Sequence, residues 1–160
     1  MARYKKALIE AFKPHFKEHG FTKKDATWHL VGAETVHLFN IQTSQWSESY
    51  YFNVGVYFRA LGPLTSPAGH HCHIQARIPD GKFHVASVKS YAELSDFEGL
   101  EFGAEERIVQ LKNLIYPLAF DWFERFKDSA SIKRELFQIK RPWMAVNKTV
   151  YSLLNLEFPS

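Results

Sequence analysis

The segment His70-His71-Cys72-His73 holds the densest group of metal-ligating and nucleophilic side chains in this 160-residue chain. On a strand, His71 and His73 lie on the same face about 7 Å apart, and Cys72 lies on the opposite face. Two such imidazoles bind zinc or nickel when a further ligand comes from a neighbouring strand. The sequence has no HExxH motif and no carboxylate at a recognisable ligand spacing. We therefore predict no metal site, with Cys72 in the core and the histidines on a polar sheet face.

The sequence also lacks the usual motifs of nucleophilic and phosphate chemistry. Cys72 is the single cysteine, so no intramolecular disulfide and no CxxC zinc site can form. The two histidines on the opposite strand face cannot readily activate its thiol. There is no GxSxG, GxGxxG or GxxxxGK[ST] motif. We predict no catalytic residue and no cofactor, and the sequence favours a protein that is not an enzyme.

A larger group of polar and aromatic side chains is predicted to share one sheet face. Residues 50–60 and 71–78 alternate in character, and if these strands pair, the odd-numbered positions of both face the same side. Rings, amides and two guanidiniums there suit an anionic or planar ligand, or a protein partner. A solvated face with cross-strand polar pairs is the alternative. In the loop 44–49, Trp46 either contacts a partner or folds back on the core. The candidate binding residues are Tyr51, Asn53, Tyr57, Arg59, His71, His73, Gln75, Arg77 and Trp46.

The periodicity of the whole chain predicts a single α+β domain over residues 1–160. Short connections favour an antiparallel meander of four to five strands, with an N-terminal helix and with C-terminal helices on one sheet face. In the strand 35–43 the apolar pattern changes phase, which indicates burial on both faces or a bulge near Leu38. Gly55 indicates a bulge or a close approach. The predicted helices cover residues 2–18, 103–126, 131–138 and 142–156, and the predicted strands cover residues 27–31, 35–43, 50–60, 71–78 and 83–88.

Charge is distributed unevenly along the chain. Residues 1–24 and 125–141 are basic and residues 91–106 are acidic, while the net charge is only +3. Solvated helix faces explain this pattern, and docking of a charged partner is the alternative. The small net charge and the missing aromatic signature of RNA-binding sheets argue against nucleic acid. The N-terminus has no apolar signal-peptide core, and no window approaches the ~18 apolar residues of a membrane span, so we expect a cytoplasmic protein.

Three short segments resemble one known family. They are Gly20–Lys24 followed by Thr27-Trp28-His29, then Phe39–Ser44, then Tyr51–Phe58. The pattern is similar to that of DUF4304, a bacterial domain of unknown function, over roughly residues 4–80. Thr43 stands where the family pattern has Lys. The resemblance implies a small bacterial cytoplasmic α+β domain and carries over no enzyme activity.

These observations predict a non-catalytic binding or interaction module of the kind that immunity or regulatory proteins represent. The expected partner is another protein, which the sequence does not identify. The alternative is a small-ligand or metal-binding protein, or an enzyme, that uses the polar sheet face around His71, His73, Arg59 and Arg77.

Overall fold

The computed structural model describes residues 3–79, 85–138 and 144–159, and only the backbone of residues 85–88. The helices in these ranges are α1 (Lys5–Glu18), α2 (Val85–Leu94), α3 (Ala104–Arg125), α4 (Ser129–Gln138) and α5 (Lys148–Leu153). The strands are β1 (Thr22–Lys24), β2 (Thr27–Val31), β3 (Thr35–Thr43), β4 (Tyr50–Phe58), β5 (Ile74–Ile78) and β6 (Ala145–Val146). Two short 3₁₀ turns, Arg59–Leu61 and Gly69–His71, lie between β4 and β5. Within the described ranges, no helix combines the length and apolar character needed to cross a bilayer.

The strands form one antiparallel sheet in which every strand lies beside the next one along the chain, in the order β1-β2-β3-β4-β5-β6. This confirms the predicted α+β fold with an N-terminal helix, a meander and C-terminal helices. The sheet has six strands rather than four or five. The edge strands β1 and β6 have only three and two residues, which is too short for an alternating pattern to be visible in the sequence.

The strand predicted over residues 83–88 is wrong from Val85 onwards, where α2 begins. Residues 83–84 lie outside the described residues. The local pattern did not distinguish the two structures, because a short apolar run is compatible with either a strand or a helix. The predicted strand 71–78 is confirmed in part, since β5 begins at Ile74 and ends at Ile78.

The predicted helix 142–156 is also longer than the helix in the structure. Ala145 and Val146 pair with β5 as a strand. Helix α5 begins at Lys148, because the side chain of Asn147 accepts a hydrogen bond of 3.0 Å from the backbone N–H of Thr149. Asparagine is a preferred residue at a helix N-cap. Residues 142 and 143 lie outside the described residues.

One face of the sheet packs against α1 and α3, and this main core is largely aromatic. Phe12 and Phe16 of α1 are fully buried, and their ring centroids lie 5.4 and 4.5 Å from that of Phe39 in β3. The rings of Trp122 and Phe126 stack at 4.5 Å. Burying an aromatic side chain of this size contributes roughly 1.5–3 kcal/mol to stability. Because α1 and α3 pack on this face, the opposite face of the sheet is the one that they leave free.

The phase change in β3 reflects burial on both faces. Phe39 and Ile41 face the main core, whereas Val36 and Leu38 form a second, smaller core with Tyr57 and Cys72 on the opposite face. The register between β3 and β4 is continuous from one end of β3 to the other. The structure therefore has no bulge at Leu38.

Residues 59–73, which we call the covering loop, fold over that second core. Pro67 is buried, and its carbonyl accepts a hydrogen bond of 2.6 Å from Nε2–H of His29. The backbone N–H of Leu64 donates to the hydroxyl of Tyr57 at 3.3 Å. The covering loop thus covers one part of the sheet face that the helices leave free. The rest of that face is open, and we call it the open face.

Candidate functional site

A groove of about 570 Å³ lies on the open face beside the covering loop. We call it the polar groove. Ala68, Gly69 and His70 of the covering loop line one side. Its polar strand side chains are those of Thr27, Asn40, Gln42, Asn53, Gln75 and Arg77. Small-molecule sites in proteins usually have volumes of roughly 300–1,000 Å³, so this groove has the size of a ligand site.

Strand register brings these side chains together. Thr27 lies opposite Asn40, Asn40 opposite Asn53, and Asn53 opposite Arg77. Residues directly opposite one another in antiparallel strands face the same side of the sheet. The four residues therefore form one line across β2, β3, β4 and β5, which we call the cross-strand row.

Hydrogen bonds connect the cross-strand row from end to end. Nε of Arg77 donates to Oδ1 of Asn53 at 3.4 Å, and Nδ2 of Asn53 donates to Oδ1 of Asn40 at 3.2 Å. Nδ2 of Asn40 then donates to Oγ1 of Thr27 at 2.9 Å. A guanidinium only donates, so it fixes the amide orientation of Asn53 and, through it, that of Asn40. All three bonds run in the same direction, an arrangement in which each bond polarises the next.

The guanidinium of Arg77 is held from a second side as well. Its central carbon lies 4.1 Å from the centroid of the Tyr51 ring, within the ~6 Å range of a cation–π contact. Tyr51 precedes Asn53 on the same face of β4. Ring and amide together give the guanidinium a defined orientation at the edge of the groove.

The charge of the polar groove is positive. Among the described residues that line it, Arg77 carries a permanent charge and none is acidic. Lys24 of β1 pairs directly with Thr27, so it lies on the same sheet face. This composition is suited to a ligand that offers hydrogen-bond acceptors and a negative charge.

The structure brings some of the sequence candidates to this site and places others elsewhere. Asn53, Gln75 and Arg77 line the polar groove, and Tyr51 lies against Arg77. Tyr57 is buried in the second core. Strands 50–58 and 74–78 pair as the sequence predicted. Whether the candidates bind a ligand stays a prediction.

Arg59 lies outside the strand on which the sequence placed it. Strand β4 ends at Phe58, and Arg59 begins a 3₁₀ turn. Its Nη1 donates to the carbonyl oxygens of Gly32 and Ala33 at 2.8 and 3.4 Å. The side chain is therefore directed to the turn between β2 and β3 rather than to the polar groove.

His71 and His73 lie before the strand on which the sequence placed them, because β5 begins at Ile74. His71 ends a 3₁₀ turn, and its Nδ1 accepts a bond of 3.0 Å from the backbone N–H of Ala68. Nδ1 of His73 accepts a bond of 2.9 Å from the backbone N–H of Phe58, and burial lowers the pKa of His73. Within the described residues, no group of three or more His, Cys, Asp or Glu side chains is arranged to hold a metal ion.

Cys72 is a core residue, but not on the side that the sequence predicted. It packs in the second core against Val36, Leu38 and Tyr57, on the same side of the sheet as Tyr57. The alternation failed because β5 begins only at Ile74. Burial raises the pKa of its thiol to about 12. A thiol in this state is a poor nucleophile at neutral pH.

Gly55 permits the close approach of Cys72. A Cβ atom at position 55 would lie 2.8 Å from Sγ and 3.0 Å from Cβ of Cys72. The register of β4 with both neighbours is continuous at this point. Of the two interpretations that the sequence left open, the structure therefore favours the close approach over a bulge.

Trp46 does not fold back on the core, because 91% of its surface is exposed. Its loop is nonetheless held in place. The backbone N–H of Trp46 donates to Oγ of Ser44 at 3.2 Å, and that of Glu48 donates to the carboxylate of Glu98 at 2.7 Å. A contact between this ring and a partner stays a prediction.

Sequence reasoning missed Thr27, Asn40 and Gln42 as groove residues. A signal for two of them was present, because positions 36, 38, 40 and 42 continue one alternation in β3. The first two are apolar and the last two are amides. A face that changes from apolar to polar halfway along a strand marks the boundary between the covered part and the open part of the sheet.

The chain was compared with known proteins. The sequence model of the family described as "Domain of unknown function (DUF4304)" matches residues 12–125. The matched segment extends well beyond residue 80 and includes α2 and α3. No curated protein and no solved structure matches the chain.

Proposed function

The chain belongs to the DUF4304 family, and from that premise we propose that it is a non-catalytic binding protein whose ligand occupies the polar groove. The observation that supports this most strongly is the cross-strand row. Its hydrogen bonds orient the side chains before any ligand arrives. Such pre-organisation reduces the entropy that binding must offset.

The chemistry of the described groove residues supports binding rather than catalysis. General acid–base catalysis needs a positioned group that gains and loses a proton, most often His, Glu or Asp. The described lining residues include one histidine, His70, but no acidic side chain that could form an acid–base pair with it. Cys72 is buried with a raised pKa, and Nδ1 of both His71 and His73 accepts a backbone hydrogen bond. The buried thiol and the two hydrogen-bonded imidazoles therefore contribute to the stability of the fold rather than to a catalytic step.

A cytoplasmic location is part of the proposal. It is supported by the single cysteine, Cys72, which is free and buried, since disulfides are rare in reducing compartments. That the partner is a protein is a separate prediction. It relies on the exposed ring of Trp46, because aromatic residues are enriched at protein interfaces.

A groove-filling variant tests the proposed function. Gln42 is exposed at the groove, so Gln42→Trp fills the space without disturbing a core. The control is Val109→Trp, at a position on α3 whose side chain is 48% exposed. Thermal unfolding is measured with a set of small carboxylates, amides, amines, nucleosides and sugars.

The proposal predicts that at least one of these classes raises the Tm of the wild type and of Val109→Trp but not of Gln42→Trp. Selective binding to the native state raises Tm with ligand concentration. Two outcomes would contradict the proposal. One is that no class stabilises the wild type, and the other is that Gln42→Trp responds as strongly as the control.

A further inference from the structure

We propose that the ligand of the polar groove is a small organic carboxylate, and that the guanidinium of Arg77 binds it. This inference rests on the proposed function and adds the chemical class of the ligand. It follows from three properties of the groove. These are the direction of its internal hydrogen bonds, the orientation of the Nη groups of Arg77, and the single permanent positive charge among its described lining residues.

The direction of the hydrogen bonds leaves donors facing the ligand. Among the side chains that the structure describes, those of residues 3–79, 89–138 and 144–159, the Nη groups of Arg77, Nε2 of Gln42 and the hydroxyl of Thr27 donate to no partner. The acceptor oxygens of Asn40, Asn53 and Gln42 each already accept one hydrogen bond from a neighbour. Nε2 of Gln75 donates to the carbonyl of Cys72 at 3.1 Å, so its Oε1 is the amide oxygen of the groove that accepts no bond from a described side chain. A ligand therefore meets mainly donors and must bring acceptors of its own.

The arrangement of Arg77 suits a planar acceptor. Its Nε is bonded to Asn53, and one face of the guanidinium covers the Tyr51 ring. The edge that carries both Nη groups is left for the ligand. Two parallel N–H groups match the two oxygens of a carboxylate. The stacked ring also restricts rotation of the side chain, which reduces the entropy lost on binding.

The amount of charge distinguishes a carboxylate from a phosphate. One guanidinium among neutral amides balances the single negative charge of one carboxylate group, whereas a phosphate group carries about 1.5 to 2 negative charges at pH 7. Phosphate groups are typically bound by several cations, by a helix N-terminus or by a glycine-rich backbone nest. The described groove residues lie on strands and in the covering loop, and Arg77 is the one permanent cation among them. The balance of charge favours a carboxylate.

The test compares succinate with succinamide, which has nearly the same shape without charge. Succinate is a dianion, and in this proposal one of its carboxylates meets Arg77 while the other stays in solvent. Binding is measured by calorimetry at about 150 mM salt, where attraction between exposed charges is screened beyond ~8 Å. We expect saturable binding of succinate to the wild type and binding about tenfold or more weaker for succinamide, since hydrogen bonds to charged groups are the stronger ones. Inorganic phosphate is the third probe, and it should bind more weakly than succinate.

Three variants assign the binding to Arg77. Arg77→Gln should lower succinate affinity about tenfold or more, and Arg77→Lys should recover only part of it, because an ammonium lacks the paired donors. The control is Arg134→Gln, which removes the same charge from an exposed position of α4 outside the groove, and it should bind like the wild type. Arg77 is itself exposed, so its variants should fold, and thermal unfolding checks this.

The inference is overturned if succinamide or phosphate binds as well as succinate, or if Arg134→Gln loses as much affinity as Arg77→Gln. If neutral or cationic compounds occupy the groove while carboxylates do not, the proposed binding function survives and the ligand class is wrong. If nothing binds in the groove, both are wrong.

Discussion

The guanidinium carbon of Arg77 lies 4.1 Å from the centroid of the Tyr51 ring, on the sheet face that α1 and α3 leave uncovered. The contact joins neighbouring strands, because Tyr51 lies in β4 and Arg77 in β5. An exposed cation–π contact contributes about 0.5–1 kcal/mol to stability. The contact orients the side chain, and this orientation is its main consequence for ligand binding.

A double-mutant cycle measures that contact. Tyr51→Leu, Arg77→Gln and the double variant are compared with the wild type by urea unfolding. We expect a coupling energy of about 0.5–1 kcal/mol, since each single variant removes the same interaction. Additive effects of the two substitutions would mean that the ring does not hold the guanidinium.

Asn53→Asp tests the charge of the polar groove with almost no change of shape. The new carboxylate would lie next to Arg77, where the amide oxygen now accepts its Nε at 3.4 Å. It would satisfy the guanidinium internally and repel an anionic ligand. We expect folding to be retained and succinate binding to be lost, as measured by unfolding and calorimetry. Unchanged succinate affinity would contradict the assigned role of Arg77.

Gly55→Ala tests the close packing beneath the covering loop. The added Cβ would lie 2.8 Å from Sγ of Cys72, and overpacking of this kind costs typically ~1–3 kcal/mol. Cys72→Ala removes the sulfur but leaves its Cβ, so we expect the double variant to recover part of the loss. Urea unfolding of the wild type, the two single variants and the double variant measures these changes in the free energy of unfolding. If Gly55→Ala left the free energy of unfolding unchanged, the covering loop would be able to move away from position 55 without loss of stability.

The stability of the fold should depend on pH through His37. This histidine is buried, its Nε2–H donates to the carbonyl of Phe126 at 2.7 Å, and burial lowers its pKa from the ordinary value of 6.5. Between the lowered folded pKa and the ordinary value of 6.5, the unfolded chain therefore binds more protons at this residue than the folded chain does. Stability is therefore complete above that pH and decreases as the pH falls towards the folded pKa, by at most about 1.4 kcal/mol per pH unit for one group.

His37→Gln keeps an N–H donor and removes the titration. We expect it to lose less free energy of unfolding than the wild type between pH 7.5 and pH 5.5, as read from urea midpoints. Burial also lowers the pKa of His15 and His73, so the variant should retain some dependence. An equal loss in both proteins would show that His37 does not carry this effect.

The main architecture could be predicted because long, regular patterns encode it. Nine residues of β4 alternate between two faces, so the pattern placed Asn53 on the face opposite to Phe52 and Val54. The same argument placed Gln75 and Arg77 correctly in β5. The helical period likewise predicted α1 and α3. Strands β4 and β5 supply three of the six polar strand side chains of the groove, Asn53, Gln75 and Arg77.

The remaining site residues depend on where strands end, and alternation alone does not show an end. β4 stops at Phe58, where the backbone N–H of the next residue, Arg59, turns to the carbonyl of Glu34 at 2.9 Å. β5 starts at Ile74, so His71 lies in the preceding 3₁₀ turn and His73 lies just before the strand. The covering loop also hides part of the face, and its path depends on contacts between residues distant in sequence. Tyr57 was thus placed on the correct face, although that part of the face is covered.

The most direct test that Arg77 binds a carboxylate in the polar groove is a titration of ¹⁵N-labelled protein with succinate, observed at its side-chain N–H groups. We expect saturable shifts at Nε–H of Arg77 and at the side-chain amides of Asn53 and Gln42. Nε belongs to the guanidinium that binds the carboxylate, Asn53 is hydrogen-bonded to it, and Nε2 of Gln42 is a donor left for the ligand. Arg134 should show none. Saturable shifts elsewhere with these three groups unchanged, or no saturable shift at any site, would contradict the binding of a carboxylate by Arg77.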